Sequence, residues 1–222
     1  MRRTDGAMLR GLYAVTPECP DVATLVSAVG AALAGGVRLV QYRSKSPDAT
    51  LRLEQAMTLR RLCRRYAVPL IVNDDLELAA RCEAEGVHLG RDDTPLAQAR
   101  RVLGSGRIIG VSCYDNLDLA RGAAAGGADY VAFGSFFPSR IKPHAPRPSV
   151  DLIARARREL SVPIVAIGGI TRDNAALVID AGVDMIAVIN GIFSAVDIER
   201  AVRELQVLFE DCLLYTSPSP RD

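Results

Sequence analysis

Short apolar, β-branched runs recur along the chain, each followed by a longer stretch whose apolar positions fall at helical spacing. Eight such units can be read. The strand-like runs are LYAVT from Leu12, VRLVQY from Val37, PLIVN from Pro69, VHL from Val87, RIIGVS from Arg107, YVAFG from Tyr130, PIVAIG from Pro163 and MIAVI from Met185. Helix punctuation supports the alternation. Ser46-Pro47 opens the segment DATLRLEQAMTLRRLCRRY, and Thr171 precedes RDNAALVIDAG with a polar start and a glycine stop. Glycine pairs and Ala-Gly or Glu-Gly steps recur just before the strands, at Gly35-Gly36, Glu85-Gly86, Gly126-Gly127 and Ala181-Gly182. This spacing is that of repeated βα units.

Strands that alternate with helices pair in parallel, and eight of them close as an α/β fold, a single (β/α)8 TIM barrel. A doubly wound open sheet is the alternative, but no G-x-G-x-x-G follows the first strand, which continues TPECPD. No linker divides the chain, so residues 1–211 are expected to form one barrel domain, with its last helix finishing near Asp211. The proline-dense segment 138–149 is long for a βα connection, which points to a functional loop. Residues 212–222 are Ser/Pro-rich and lack periodicity; they are expected to be a disordered or non-native tail.

Charge narrows the function. Lys and Arg number 27 against 26 Asp and Glu, a formal net charge of +1, so nothing suggests wholesale binding to nucleic acid or to a membrane surface. No apolar run approaches the roughly 18 residues of a membrane span, and MRRTDGAMLRG lacks the apolar core of a secretory signal. The five cysteines are scattered without a C-x-x-C pair, which fits neither a disulfide framework nor zinc and suggests a cytoplasmic location. A homo-oligomer is compatible with all of this. Only Lys45 and Lys142 among the basic residues are lysine, and a compact ammonium suits a point contact to phosphate.

In a barrel the chemistry sits where the strands end, and these ends are polar. Strand two ends in Gln41, Arg43 and Lys45, on the same face as Leu39; strand three ends in Asn73, Asp74 and Asp75; strand four is followed by Arg91, Asp92 and Asp93; strand five ends at Ser112. Ser139 and Lys142 follow strand six, Gly168-Gly169 strand seven, and Asn190-Gly191 strand eight. A face that turns cationic at the mouth expects an anion. Asp74 and Asp93 end adjacent strands and are placed to share one cation, for which an all-oxygen ligand set favours magnesium over zinc. Asp75 and Asp92 are assigned to helix N-capping. The glycine pairs are placed to bring backbone N–H groups close to a phosphate, although a tight turn alone also explains them. His88 reads as a hydrogen-bonded barrel histidine, His144 as a surface residue, and Cys113, with no histidine pair near it, as no nucleophile.

The segments GLYAVTP, QYRSK, IVNDD, GVHLGRDD, IIGVS, FGSFFPSRIKP, AIGGI and AVINGIF resemble, in order and spacing, those of the thiamine phosphate synthase family, over roughly residues 11–205. The resemblance implies a transferase joining 4-amino-5-hydroxymethyl-2-methylpyrimidine diphosphate to a thiazole phosphate, with Mg2+ as cofactor. It implies that Gln41, Tyr42, Arg43, Ser44, Lys45, Asn73, Ser112 and Lys142 bind the pyrimidine diphosphate, and that Asp74 and Asp93 hold the metal. Ser139, Arg140, Ile141, Gly168, Gly169, Ile189 and Asn190 would bind the thiazole phosphate, while Arg43, Lys45, Lys142 and Ser112 would carry the chemistry. The chain departs from the family at Arg91, Ile141 and Asn190, where glutamine, threonine and serine are usual. A thiazole-phosphate aromatase-type relative, a non-catalytic phosphate-ligand sensor and a sugar-phosphate isomerase are the competing readings; the first would dispense with the diphosphate clamp, and the last would want an acid/base pair at the mouth.

Overall fold

A computed structural model of the chain describes residues 9–138 and 148–216, with side chains as far as Phe209. Eight parallel strands close on themselves in chain order: β1 (Gly11–Val15), β2 (Leu39–Tyr42), β3 (Leu70–Asn73), β4 (Gly86–Leu89), β5 (Ile108–Tyr114), β6 (Tyr130–Gly134), β7 (Ile164–Ile167) and β8 (Met185–Val188). The helices α1 (Val22–Gly35), α2 (Ala49–Arg65), α3 (Leu76–Arg81), α4 (Leu96–Leu103), α5 (Leu117–Ala125), α6 (Val150–Glu159) and α7 (Arg172–Asp180) alternate with them. A four-residue helix α8 (Asn190–Phe193) follows β8, and α9 (Ile198–Thr216) packs against α1 and α7. The (β/α)8 barrel read from the pattern is the fold found. No described helix is long and apolar enough to cross a membrane.

The strands read as nearly continuous apolar runs because both of their faces are buried. Tyr13, Val15, Leu39, Ile71, Ile108, Tyr130, Ala132, Val165, Met185 and Ala187 fill the barrel interior. Their neighbours Leu12, Ala14, Val40, Leu70, Val72, Val131 and Phe133 pack outward against the helices. Some interior positions have no room for a side chain, Gly110 among them. Gly110 lies opposite Tyr130, and a Cβ on it would stand 1.9 Å from Cζ of that ring. Gly110→Ala is therefore expected to cost about 1–3 kcal/mol through overpacking, several degrees in Tm for a domain of this size. Thermal unfolding of the variant checks this, and an unchanged Tm would mean that the ring has room to move.

Three local expectations change. Asp48, rather than Ser46, caps α2, its carboxylate accepting from the N–H groups of Thr50 and Leu51; Ser46 Oγ accepts two residues earlier, from Asp48 N. Asp92 caps nothing, because α4 starts only at Leu96, behind Pro95, and has no side-chain cap. Helix α9 continues past Asp211 to Thr216, so the expected boundary at 212 falls inside a helix whose sequence DCLLYT still permits helical turns. Asp75 does cap α3, and Thr171 forms a capping box with Asn174.

Candidate active site

Period two explains which strand-end side chains reach the mouth. On β2, Gln41 shares the interior face with Leu39, and Nε2 of its buried amide donates to Tyr13 Oη at 2.7 Å. Tyr42 points the other way. Its ring lies among the residues under the helices and its hydroxyl donates to Gln55 Oε1 at 2.7 Å, so the side chain does not face the mouth as the substrate-binding assignment required. Gln55 in turn donates to the Cys19 carbonyl at 2.8 Å, which ties α2 to the loop after β1.

That loop carries the residues the sequence reading missed. Arg43 N donates to Thr16 Oγ1 at 2.9 Å and the same hydroxyl donates to Arg43 O at 3.2 Å, while Lys45 N donates to both oxygens of Glu18 at 2.9 and 3.0 Å. The Glu18 carboxylate also lies 3.3 Å from Arg43 Nη1. Thr16-Pro17-Glu18 thus splints the cationic end of β2, leaving Lys45 exposed to solvent and Ser44 Oγ accepting from Ser46 N at 3.2 Å. The signal was available: these residues follow a strand end, where barrel sites are built.

Across the mouth, Asp74 stands at the end of β3 with φ +62°, a left-handed conformation uncommon outside glycine, Asn and Asp. Burial, and then the neighbouring Asp93, push its carboxyl up to about 6 from an ordinary 3.8, with Asn73 and Arg43 acting in the opposite direction. Two carboxyls held against each other at the rim of the mouth, Asp74 exposed and Asp93 partly so, fit a hard divalent cation, which would relieve the repulsion. Asp93 Oδ2 also accepts from Gly90 N at 2.6 Å, which fixes its side chain. Among the described residues no group of three or more His, Cys, Asp or Glu could hold a metal, so the pair would leave coordination positions for ligand oxygens. Asp75 is occupied elsewhere, capping α3 and pairing with Arg52 at 2.7 Å. Arg91 lies with its guanidinium 4.8 Å from the centre of the Tyr114 ring, and its backbone N–H donates to the Tyr114 hydroxyl at 3.2 Å.

His88 is bonded on both ring nitrogens, to Tyr130 Oη at 2.9 Å and to Ser112 Oγ at 2.8 Å, as expected of a barrel histidine. The Cys113 thiol is buried, which pushes it up to about 12 and leaves no thiolate for nucleophilic attack. Gly168 and Gly169 have φ of +105° and +63°, and a Cβ on Gly169 would meet the Pro138 carbonyl at 2.5 Å. The turn after β7 is thus pressed against the segment leaving β6, and only glycine fits it. Ile189 packs beside the interior cluster and Asn190 is exposed at the start of α8, the place where barrels commonly take a phosphate. Ser139, Arg140, Ile141, Lys142 and His144 lie outside the described residues.

Comparison with known proteins shows the family. A family model described as thiamine monophosphate synthase matches residues 12–192. The thiamine-phosphate synthase of Thiobacillus denitrificans is 57% identical over 199 residues, covering 90% of this chain and 94% of that protein. That of Methylobacillus flagellatus is 55% identical over 201 residues, covering 90% and 96%. Among solved structures, thiamine phosphate pyrophosphorylase from Pyrococcus furiosus superposes with a TM-score of 0.82 at 35% identity, covering 94% of this chain and 98% of that one. The chain belongs to the thiamine monophosphate synthase family.

Proposed function

We propose that this mouth joins 4-amino-5-hydroxymethyl-2-methylpyrimidine diphosphate to a thiazole phosphate, giving thiamine phosphate and free diphosphate. The observation that carries the reading is the juxtaposition of a cationic strand end with a mutually repelling carboxyl pair on the next strands. An isolated carboxylate ligand would need only the cations. A diphosphate with a bound metal uses both.

In the reaction, the carbon–oxygen bond between the pyrimidine methylene and the diphosphate breaks, its electron pair leaves with the diphosphate, and the thiazole nitrogen supplies the pair for the new carbon–nitrogen bond. No proton has to be removed, so the reaction needs no general base. Arg43 and Lys45 hold the departing anion, and Thr16 and Glu18 keep that strand end in place. Gln41 and Ser112 hold the pyrimidine ring from opposite sides of the interior. The turn at Gly168-Gly169, with Ile189 and Asn190, receives the thiazole phosphate, so the two rings are kept within reacting distance. Lys142 and the segment Ser139 to Ile141 are assigned to the same two substrates on sequence alone. Asp74 and Asp93 would hold Mg2+, which when bound neutralises charge on the diphosphate. The described cysteines are free thiols, which supports a cytoplasmic site of action.

Diphosphate release tests the reading. Purified protein given Mg2+ and both substrates is expected to release diphosphate in step with thiamine phosphate, and to stop when EDTA is added or either substrate is left out. Release unaffected by EDTA would remove the metal from the proposal. Binding of thiazole phosphate without product would favour the sensor reading instead.

A further inference from the structure

Four hydrogen bonds cross the barrel interior in one line. Gln41 Nε2 donates to Tyr13 Oη at 2.7 Å, and Tyr13 Oη lies 2.8 Å from Tyr130 Oη. Tyr130 Oη lies 2.9 Å from His88 Nδ1, and His88 Nε2 lies 2.8 Å from Ser112 Oγ. The line starts and ends on the two side chains that the proposed function gives to the pyrimidine. All but Ser112, which is partly exposed, are sealed from water, with exposures of 4% for Gln41, 1% for Tyr13, 0% for Tyr130 and 8% for His88. The rings hold one another, Tyr13 meeting Tyr130 edge-on at 5.9 Å and His88 stacking on Tyr130 at 5.6 Å. Gly110 supplies the space for the central phenol.

Each phenol has a single hydrogen, and with no buried hydrogen left unpaired the line has one direction. Tyr13 accepts from the Gln41 amide and so gives its hydrogen to Tyr130. Tyr130, having accepted, gives its own to His88 Nδ1, which is therefore bare. The imidazole proton then sits on Nε2 and is donated to Ser112. With its oxygen engaged by the histidine, Ser112 has its own hydrogen left for a ligand, while Gln41 keeps its carbonyl oxygen and a second N–H. Burial raises both phenols well above their ordinary range, so neither breaks the line by ionising.

The geometry points to Tyr13, Tyr130 and His88 as positioning residues that set the polarity of the pyrimidine contacts, with His88 neutral and protonated on Nε2, Ser112 a donor, and the Gln41 oxygen an acceptor. An aminopyrimidine complements that pattern, since its exocyclic amine donates and its ring nitrogens accept. A 4-oxo pyrimidine of the same shape would place an oxygen against the Gln41 oxygen and be rejected. The line therefore acts on which pyrimidine is accepted. This consequence rests on the proposed function; the protonation pattern does not.

The test begins without substrate. Nitrogen-15 spectra of the full chain near neutral pH, with the signals of the two histidines separated by a His144→Gln control, are expected to show His88 as the Nε2–H tautomer. Tyr130→Phe removes the donor to Nδ1, so the tautomer ratio should shift. In the same variant KM for the pyrimidine diphosphate should rise about tenfold, with smaller changes in kcat and in KM for the thiazole phosphate, and discrimination against the 4-oxo analogue should narrow. Should Tyr130→Phe fail to fold, Tyr13→Phe cuts the line beyond the histidine; it should leave the tautomer alone and still raise KM for the pyrimidine. A wild-type Nδ1–H tautomer or an imidazolium overturns the proposal, as does a substituted protein with unchanged tautomer, KM and discrimination. If the protein has no synthase turnover, the proposed function falls and the tautomer alone decides the line.

Discussion

Asp74→Asn should give a protein that is more stable and nearly inactive. The carboxyl is raised from 3.8 to about 6 by burial and by Asp93, so the folded chain keeps a proton that the unfolded chain gives up. Folding is then favoured at low pH, and stability is lost as pH rises from the unfolded value to the folded one and beyond. At neutral pH the folded protein carries that penalty, discounted to about 1 kcal/mol for solvent screening because the Asp74 side chain is exposed. Asparagine has no charge to desolvate and accepts the left-handed backbone found there at φ +62°. The variant's Tm should therefore rise by a few degrees above pH 6, and the gain should vanish near pH 4. Removing one of the two carboxylates proposed to hold Mg2+ should at the same time lower turnover on the order of a thousandfold. Thermal unfolding across pH, read beside diphosphate release, checks both halves. A variant as active as the parent would take Asp74 out of the metal site, and a lower Tm would mean that the charge is already compensated in the folded chain.

The sequence carried the barrel plainly because the strands are apolar on both faces and most of the long helices are bounded by a polar cap or a glycine. Eight repeats agreed, and an error in one would not have changed the fold. It carried the site less evenly. Gln41 and Ser112 were legible because alternation places a strand's inward residues, and Arg43, Asp74 and Asp93 because they follow strand ends, where barrel sites are built. The same alternation should have set Tyr42 aside: it follows Gln41 directly and so has to face the helices. Thr16 and Glu18 were passed over because their work is done through backbone groups of another loop, and no pattern within a single segment shows that. Tyr13 and Tyr130 look like ordinary apolar positions in the runs LYAVT and YVAFG. Only the closure of the barrel brings residues 117 positions apart within hydrogen-bond distance.

Arg43 offers the sharpest separation between a side chain that acts on the substrate and the frame that holds it. Its backbone is fixed by Thr16 whatever the side chain, so Arg43→Ala should fold normally while losing the fork of donors proposed to meet the departing diphosphate. The expected loss in kcat/KM is on the order of a hundred- to a thousandfold, or about 3–4 kcal/mol, and it should appear mainly in kcat because the charge develops as the bond breaks. Arg43→Lys should recover only part of it, since an ammonium restores the charge without the planar fork. Glu18→Gln is the control. Its contact with Arg43 is a half-exposed ion pair worth at most about 1 kcal/mol, and glutamine still offers an oxygen to Lys45 N, so kcat/KM should stay within about threefold. Steady-state kinetics of the three variants distinguish the cases. Equal losses in Arg43→Ala and Glu18→Gln would mean that the ion pair orders the mouth and that the guanidinium never meets the diphosphate, which would move the leaving-group contact to Lys45.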